Sequence, residues 1–164
     1  MSEQITDATE TDQPVGSQGA CPGGRGEAFA TFSGRHDHAL DDEGRTMVPK
    51  EFRAALTALG QRSVMIAYKP GKPGCLEVRT VSSFQAFQRE FDEARKRAKQ
   101  SKALLYRYAT VYFGSARCIE LDRTGRLPLP PELRAHLGLT ERVVFVGIDE
   151  ESFQLWRPES QGLE

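Results

Sequence analysis

The sequence predicts a mainly β fold with α insertions, in which two copies of one half-unit build a barrel about a pseudo-twofold axis. Three observations lead there: an internal repeat, a turn of matching chemistry in each copy, and a helical segment between the copies. Shifted by 81 residues, Leu40-Asp41-Asp42-Glu43-Gly44-Arg45-Thr46-Met47-Val48-Pro49 falls on Leu121-Asp122-Arg123-Thr124-Gly125-Arg126-Leu127-Pro128-Leu129-Pro130. The match continues through Glu51/Glu132, Arg53/Arg134, Ala54/Ala135 and Leu56/Leu137, so nine of the seventeen residues from 40 to 56 are identical. Self-similarity at one fixed shift is the signature of a duplicated structural unit.

Each copy reads alike. A strand ends at Leu-Asp, a short turn closes on Gly-Arg, and a second strand runs into Pro. Asp41 or Asp122 at the first turn position accepts hydrogen bonds from the turn amides, and Gly44 or Gly125 at the fourth tolerates positive φ. A short helix follows, with Pro49 or Pro131 near its start, where a missing N–H costs nothing. Its apolar stripe is Phe52, Leu56 and Leu59 in one copy and Leu133 and Leu137 in the other. Strands come next at 63–68 and 142–147, and a returning strand closes each unit at 75–78 and 152–156. Lys69-Pro70-Gly71-Lys72-Pro73-Gly74 forces the turn of the first hairpin.

The helical segment is predicted from Phe84, Phe87, Phe91, Ala94 and Ala98, which alternate spacings of three and four, with Ser82 or Ser83 as its cap. A second helical stretch around Leu104, Leu105 and Tyr108 leads into a strand beginning near Tyr112. The expected organisation is therefore an acidic, disordered extension over 1–28, a first half over 29–82 and a helical connector over 83–111. A second half then covers 112–158, with a tail over 159–164. A four-strand half of about fifty residues cannot bury enough apolar surface alone and leaves open strand edges. Interleaving two such halves solves both problems.

Composition limits the function. The 164 residues carry a net charge of −1, but residues 1–28 hold −4 and the remainder +3. An acidic extension on a mildly basic body permits an anionic partner. The apolar segments are too short for a membrane helix, and the N-terminus lacks a basic-then-apolar secretory pattern, so the expected setting is soluble and cytoplasmic. Cys21, Cys75 and Cys118 form no CxxC pair, which argues against a disulfide framework or zinc knuckle. His36 and His38 share one face of a strand, but Arg117 and Ile119 stand at the equivalent positions, so the architecture needs no metal. GxSxG, P-loop and HExxH motifs are absent, and neither an enzyme, a cofactor nor a small-molecule substrate is expected.

The repeated turns, Asp41 to Arg45 followed by Val48-Pro49 and Asp122 to Arg126 followed by Leu129-Pro130, resemble those of the MraZ family of bacterial regulators. That family lies within the wider SpoVT-AbrB group of swapped-hairpin barrels. Phe32-Ser33-Gly34 is similar to the family's usual start, and Phe113-Gly114-Ser115-Ala116 to the lead into its second motif. The resemblance spans roughly residues 29–158. It implies a swapped-hairpin β-barrel and a double-stranded DNA partner, bound at short G-rich direct repeats upstream of the division and cell-wall gene cluster. It further implies repression of the protein's own operon, a nucleoid-associated location and assembly into a homo-oligomeric ring. Carried over, Arg45 and Arg126 contact DNA, and Asp41 and Asp122 brace them. Arg35, Lys50, Arg53, Arg123 and Arg134 are further candidates for phosphate contacts. The chain departs from the family in having Glu43 where a basic residue is usual, beside Asp42, and in its acidic extension. An AbrB-type antitoxin or transition-state regulator, or a ring scaffold that binds no DNA, are the alternatives.

Overall fold

A computed structural model describes residues 31–159; the predicted extension over 1–28 and most of the 159–164 tail lie outside the described residues. The first half contributes β1 (Arg35–Ala39), β2 (Arg45–Met47), α1 (Lys50–Ala58), β3 (Ser63–Tyr68) and β4 (Cys75–Thr80). Two helices follow, α2 (Val81–Arg97) and α3 (Lys102–Ser115). The second half repeats the pattern as β5 (Arg117–Glu120), β6 (Arg126–Pro128), α4 (Pro131–Leu137), β7 (Arg142–Gly147) and β8 (Ser152–Trp156).

The strands form a six-stranded antiparallel sheet in the order β1-β7-β8-β4-β3-β5 and a two-stranded sheet of β2 with β6. Exchanging each strand for its repeat (β1 for β5, β3 for β7, β4 for β8) leaves this order unchanged when read backwards. The two halves are thus related by a pseudo-twofold that passes between β4 and β8 and between β2 and β6. Each half lends its first strand to the other: β1 pairs with β7, and β5 pairs with β3. The two loan sites are anchored alike, Leu40 N–H donating to Glu141 O at 2.7 Å and Leu121 N–H to Arg62 O at 2.9 Å. The hydrogen-bonded ladders make two sheets, and among the described residues they do not join into one closed barrel.

Alternation sends one face of the large sheet inward. Val64, Ile66, Leu76, Val78, Val143, Phe145, Phe153 and Leu155 from this face join Phe52, Leu56, Leu133 and Leu137 from the short helices in one core. Phe32, Phe52 and Phe153 meet at its centre edge-on or tilted, with ring centroids 5.0–5.3 Å apart. The predicted stripe of α1 is corrected at one position: Phe52, Ala55 and Leu56 are buried, whereas Leu59, at the helix end, is exposed.

The connector also differs from expectation. Thr80, and neither Ser82 nor Ser83, caps α2, its hydroxyl accepting from Ser83 N–H at 3.2 Å. Tyr112 is a buried residue of α3, not the start of a strand, and β5 begins only at Arg117. The cause is aromatic packing. Phe84, Phe87 and Phe91 of α2 meet Tyr108, Tyr112 and Phe113 of α3, and this second cluster sits on Met65 and Ala67, on the outer face of β3.

A buried polar network fastens the helices to the sheet. Glu77, 5% exposed, pairs with Lys69 at 2.9 Å and with Arg79 at 2.7 Å. Arg79 in turn donates to Tyr112 Oη and Ser83 Oγ, both at 3.2 Å, and its guanidinium lies 4.7 Å from the Phe87 ring centre. Burial and the neighbouring Glu77 carboxylate push the Tyr112 hydroxyl well above its ordinary pKa. Among the described residues, no helix is long and apolar enough to cross a membrane.

Candidate functional site

The two repeated turns come together where β2 pairs with β6, in the register Arg45 to Pro128, Thr46 to Leu127 and Met47 to Arg126. In the first turn Asp41 Oδ1 accepts from the backbone N–H of Glu43 at 3.0 Å and of Arg45 at 2.9 Å. Asp41 Oδ2 then accepts from Arg45 Nε at 2.9 Å. The second turn repeats this with Asp122 Oδ1 on the Thr124 and Arg126 amides, both 2.9 Å, and Oδ2 on Arg126 Nε at 3.0 Å. Each carboxylate therefore closes its own turn and orients the guanidinium that leaves it. The backbone N–H of Arg45 lowers the pKa of Asp41 and that of Arg126 lowers that of Asp122, with further hydrogen bonds adding to both.

Gly44 and Gly125 hold φ of +79° and +85°, as the turn chemistry requires. A second constraint comes from across the pseudo-twofold. A Cβ on Gly44 would overlap the side chain of Arg134, and one on Gly125 would overlap that of Arg53. These arginines also anchor their own halves, Arg53 Nε donating to Val48 O and Arg134 Nε to Leu129 O, each at 3.0 Å. Backbone hydrogen bonds add to the lock, from Val48 N–H to Gly125 O at 3.1 Å and from Leu129 N–H to Gly44 O at 2.9 Å. Arg53 and Arg134 thus hold each turn of one half against a helix of the other, a role invisible in their spacing because the partner is a glycine 72 residues away for Arg53 and 90 for Arg134.

The Arg45 and Arg126 side chains are 30% and 35% exposed, so both guanidiniums reach the surface. They differ in partners. Arg45 Nη1 pairs with Glu43 at 3.0 Å, whereas Arg126 Nη1 reaches across to Asp41 at 3.8 Å. Thr124, at the place of Glu43, donates to Asp122 Oδ1 at 2.7 Å and adds no charge. Lys50 and Arg123 are exposed beside this region, at the start of α1 and within the second turn. Arg35 opens β1 and is six residues from Asp41, roughly 20 Å of extended chain. It therefore stands apart from the paired turns. His36 and His38 face inward and meet Phe52 and Phe145 edge-on, with centroids 5.1 and 5.5 Å apart. Burial lowers the pKa of His38. These contacts give both imidazoles a packing role.

This duplicated Asp–Arg turn agrees with the comparisons to known proteins. The family described as "MraZ protein, putative antitoxin-like" matches residues 31–107 and 112–160. The chain belongs to the MraZ family. It is 32% identical over 129 residues to "Transcriptional regulator MraZ" of Thermomicrobium roseum, covering 79% of this chain and 83% of that protein. It is 32% identical to the protein of the same name from Gluconobacter oxydans, over 80% of this chain and 79% of the relative. Against the namesake from Lachnoclostridium phytofermentans it is 35% identical, over 78% and 82%. These MraZ relatives are named as regulators and not as enzymes, which agrees with the lack of hydrolase motifs in the sequence. Both family segments include a repeated turn, and the gap between them falls inside α3.

Proposed function

We propose that this MraZ-family protein is a sequence-specific transcriptional regulator that binds duplex DNA through Arg45 and Arg126. The reading rests on one observation above all: two guanidiniums, each fixed at Nε by a carboxylate of its own turn, emerge side by side at the β2–β6 seam. A side chain held in place loses less freedom on binding, and a planar guanidinium suits guanine O6/N7 or a phosphate. In this reading Asp41, Gly44, Asp122 and Gly125 brace the turns, and Lys50, Arg53, Arg123 and Arg134 sit where they can support phosphate contacts. In this reading the two sheets are the walls of a swapped-hairpin barrel of two SpoVT-AbrB halves, open where their ladders do not join.

The target is a set of short direct repeats in the promoter of the division and cell-wall gene cluster, through which the protein represses its own operon. A homo-oligomeric ring presents several paired turns to successive repeats and gains affinity by multivalency. Leu104 and Val111, seven residues apart on one stripe of α3, are 68% and 45% exposed and supply an apolar face for such assembly. Binding to chromosomal DNA makes the protein cytoplasmic and nucleoid-associated.

A gel-shift titration on the upstream region of its own gene tests the reading. Arg45→Ala and Arg126→Ala are each expected to weaken binding by roughly 1–3 kcal/mol per contacted half-site. If both variants bind as the parent does, the assigned role is wrong. The antitoxin-like description of the family favours one second reading, an AbrB-type dimer; a dimer by light scattering, in place of a ring, supports it.

A further inference from the structure

The pseudo-twofold relates the backbones of the two turns but not their charges. Beside the second turn lies an open cleft of about 580 Å³ between α1 and residues 121–125, lined in part by Arg53, Arg62, Arg123 and Asp122. The hydrogen bonds that anchor the lent strands identify the equivalent positions: Arg62 O receives Leu121 N–H, and Glu141 O receives Leu40 N–H. Arg62 of one flank therefore corresponds to Glu141 of the other. By the same repeat Arg123 corresponds to Asp42, Thr124 to Glu43, and Arg53 to Arg134. Two arginines of the second flank are replaced by carboxylates on the first, and a third carboxylate, Glu43, is added. The side chain of Arg62 is 73% exposed, and its ion pair is a 3.9 Å contact with exposed Glu120, too weak to occupy it.

We propose that the cleft at the second turn is a seat for one or two backbone phosphates of a nucleic-acid duplex, held by Arg62 and Arg123 with Arg53 beneath them. The first flank has Asp42, Glu43 and Glu141 in the corresponding places and attracts phosphate less, so the two orientations of a subunit on the duplex are unequal. The inference rests on the DNA-binding reading above and adds to it a polarity that the backbone symmetry alone would not create. It also gives Arg62 a phosphate contact of its own.

The test is fluorescence anisotropy of the full-length protein on its promoter duplex and on a scrambled duplex, each over a range of salt. For Arg62→Gln/Arg123→Gln, the slope of log affinity against log salt is expected to fall by about 1–2, close to one for each phosphate the seat holds. The ratio of promoter to scrambled affinity should stay constant, since phosphate contacts carry no sequence information. Glu141→Gln/Asp42→Asn on the opposite flank should leave the slope unlowered. Thermal melting checks that the exposed substitutions leave the fold intact. An unchanged slope in the arginine pair, with Arg126→Ala still weakening binding, overturns the seat while leaving the DNA reading standing. If the parent protein binds neither duplex, titration with inorganic tripolyphosphate decides. Loss of tripolyphosphate binding in the arginine pair keeps the seat as a polyanion site and removes the DNA reading, whereas no binding by the parent removes both.

Discussion

Asp41 and Asp122 spend one oxygen on the amides of their own turns and offer the other to an arginine, and both carboxyls consequently titrate below their ordinary value of 3.8. The folded chain releases these protons more readily than the unfolded one, so the resulting stability is complete above the ordinary carboxylate pKa and is lost as pH falls beneath it. His38 acts in a different window. Burial lowers its pKa below 6.5, so the unfolded chain takes the proton first and stability declines as pH falls through 6.5. Melting temperature measured from pH 8 to pH 3 should therefore fall in two steps, and His38→Gln should flatten the upper one. An upper step that persists in this variant would assign it to another group. Thr46 carries a hydroxyl that is buried without a hydrogen-bond partner in the structure, where the repeat has Leu127. Thr46→Val is expected to stabilise by roughly 1 kcal/mol, read as a rise of about 4 °C in Tm. A lower Tm would mean that the hydroxyl has a partner.

At the scale of the element, the turn glycines answer to two constraints at once. Gly44→Ala forces a left-handed backbone on a residue with a Cβ, at about 1–2 kcal/mol, and drives that Cβ into Arg134. Urea unfolding of Gly44→Ala alone and combined with Arg134→Ala should show positive coupling, because the second substitution removes the overlap but not the strain. Simple additivity would mean that Arg134 swings away freely. For the helical pair, Glu77→Gln leaves Lys69 and Arg79 without their shared carboxylate, and a loss of about 3 kcal/mol by the same measurement is expected. These elements also show what could be read in advance. The strands at 63–68 and 142–147 and both turns followed from alternation and the repeat. The end of α3 did not, since Gly114 and the start of a second motif imitate a strand entry while the Phe84–Tyr112 packing extends the helix. Arg62 was missed for a related reason. The shift between the copies is 81 at the turns but 79 at β3 and β7, so only the paired strands align it with Glu141. Glu77 stayed hidden because a charge in a strand reads as an outward-facing residue until a helix is known to cover it.

For the molecule as a whole, the pseudo-twofold sheet brings two turns of opposite electrostatic character to one seam. If the proposed ring engages successive repeats, a duplex with two promoter repeats is expected to bind at least tenfold more tightly than one with a single repeat. Leu104→Asp/Val111→Asp should abolish that gain and shift the light-scattering mass downward while leaving single-repeat binding in place. Equal affinities for one and two repeats in the parent protein would count against assembly on DNA.

The exchange of first strands also has a bearing on synthesis. β1 finds its neighbour only when β7 has been made, more than a hundred residues later, and β3 likewise lacks its outer neighbour until β5 follows the helices. A growing chain therefore leaves the ribosome with an unsatisfied strand edge for most of its translation, at 5–20 residues per second a wait of roughly 5–20 s for β1. The aromatic helix pair, whose contacts lie close together in sequence, can form during that interval and shield the outer face of β3 while the edges wait. Slow, non-local completion of this kind prolongs the interval in which open strand edges can pair with other chains.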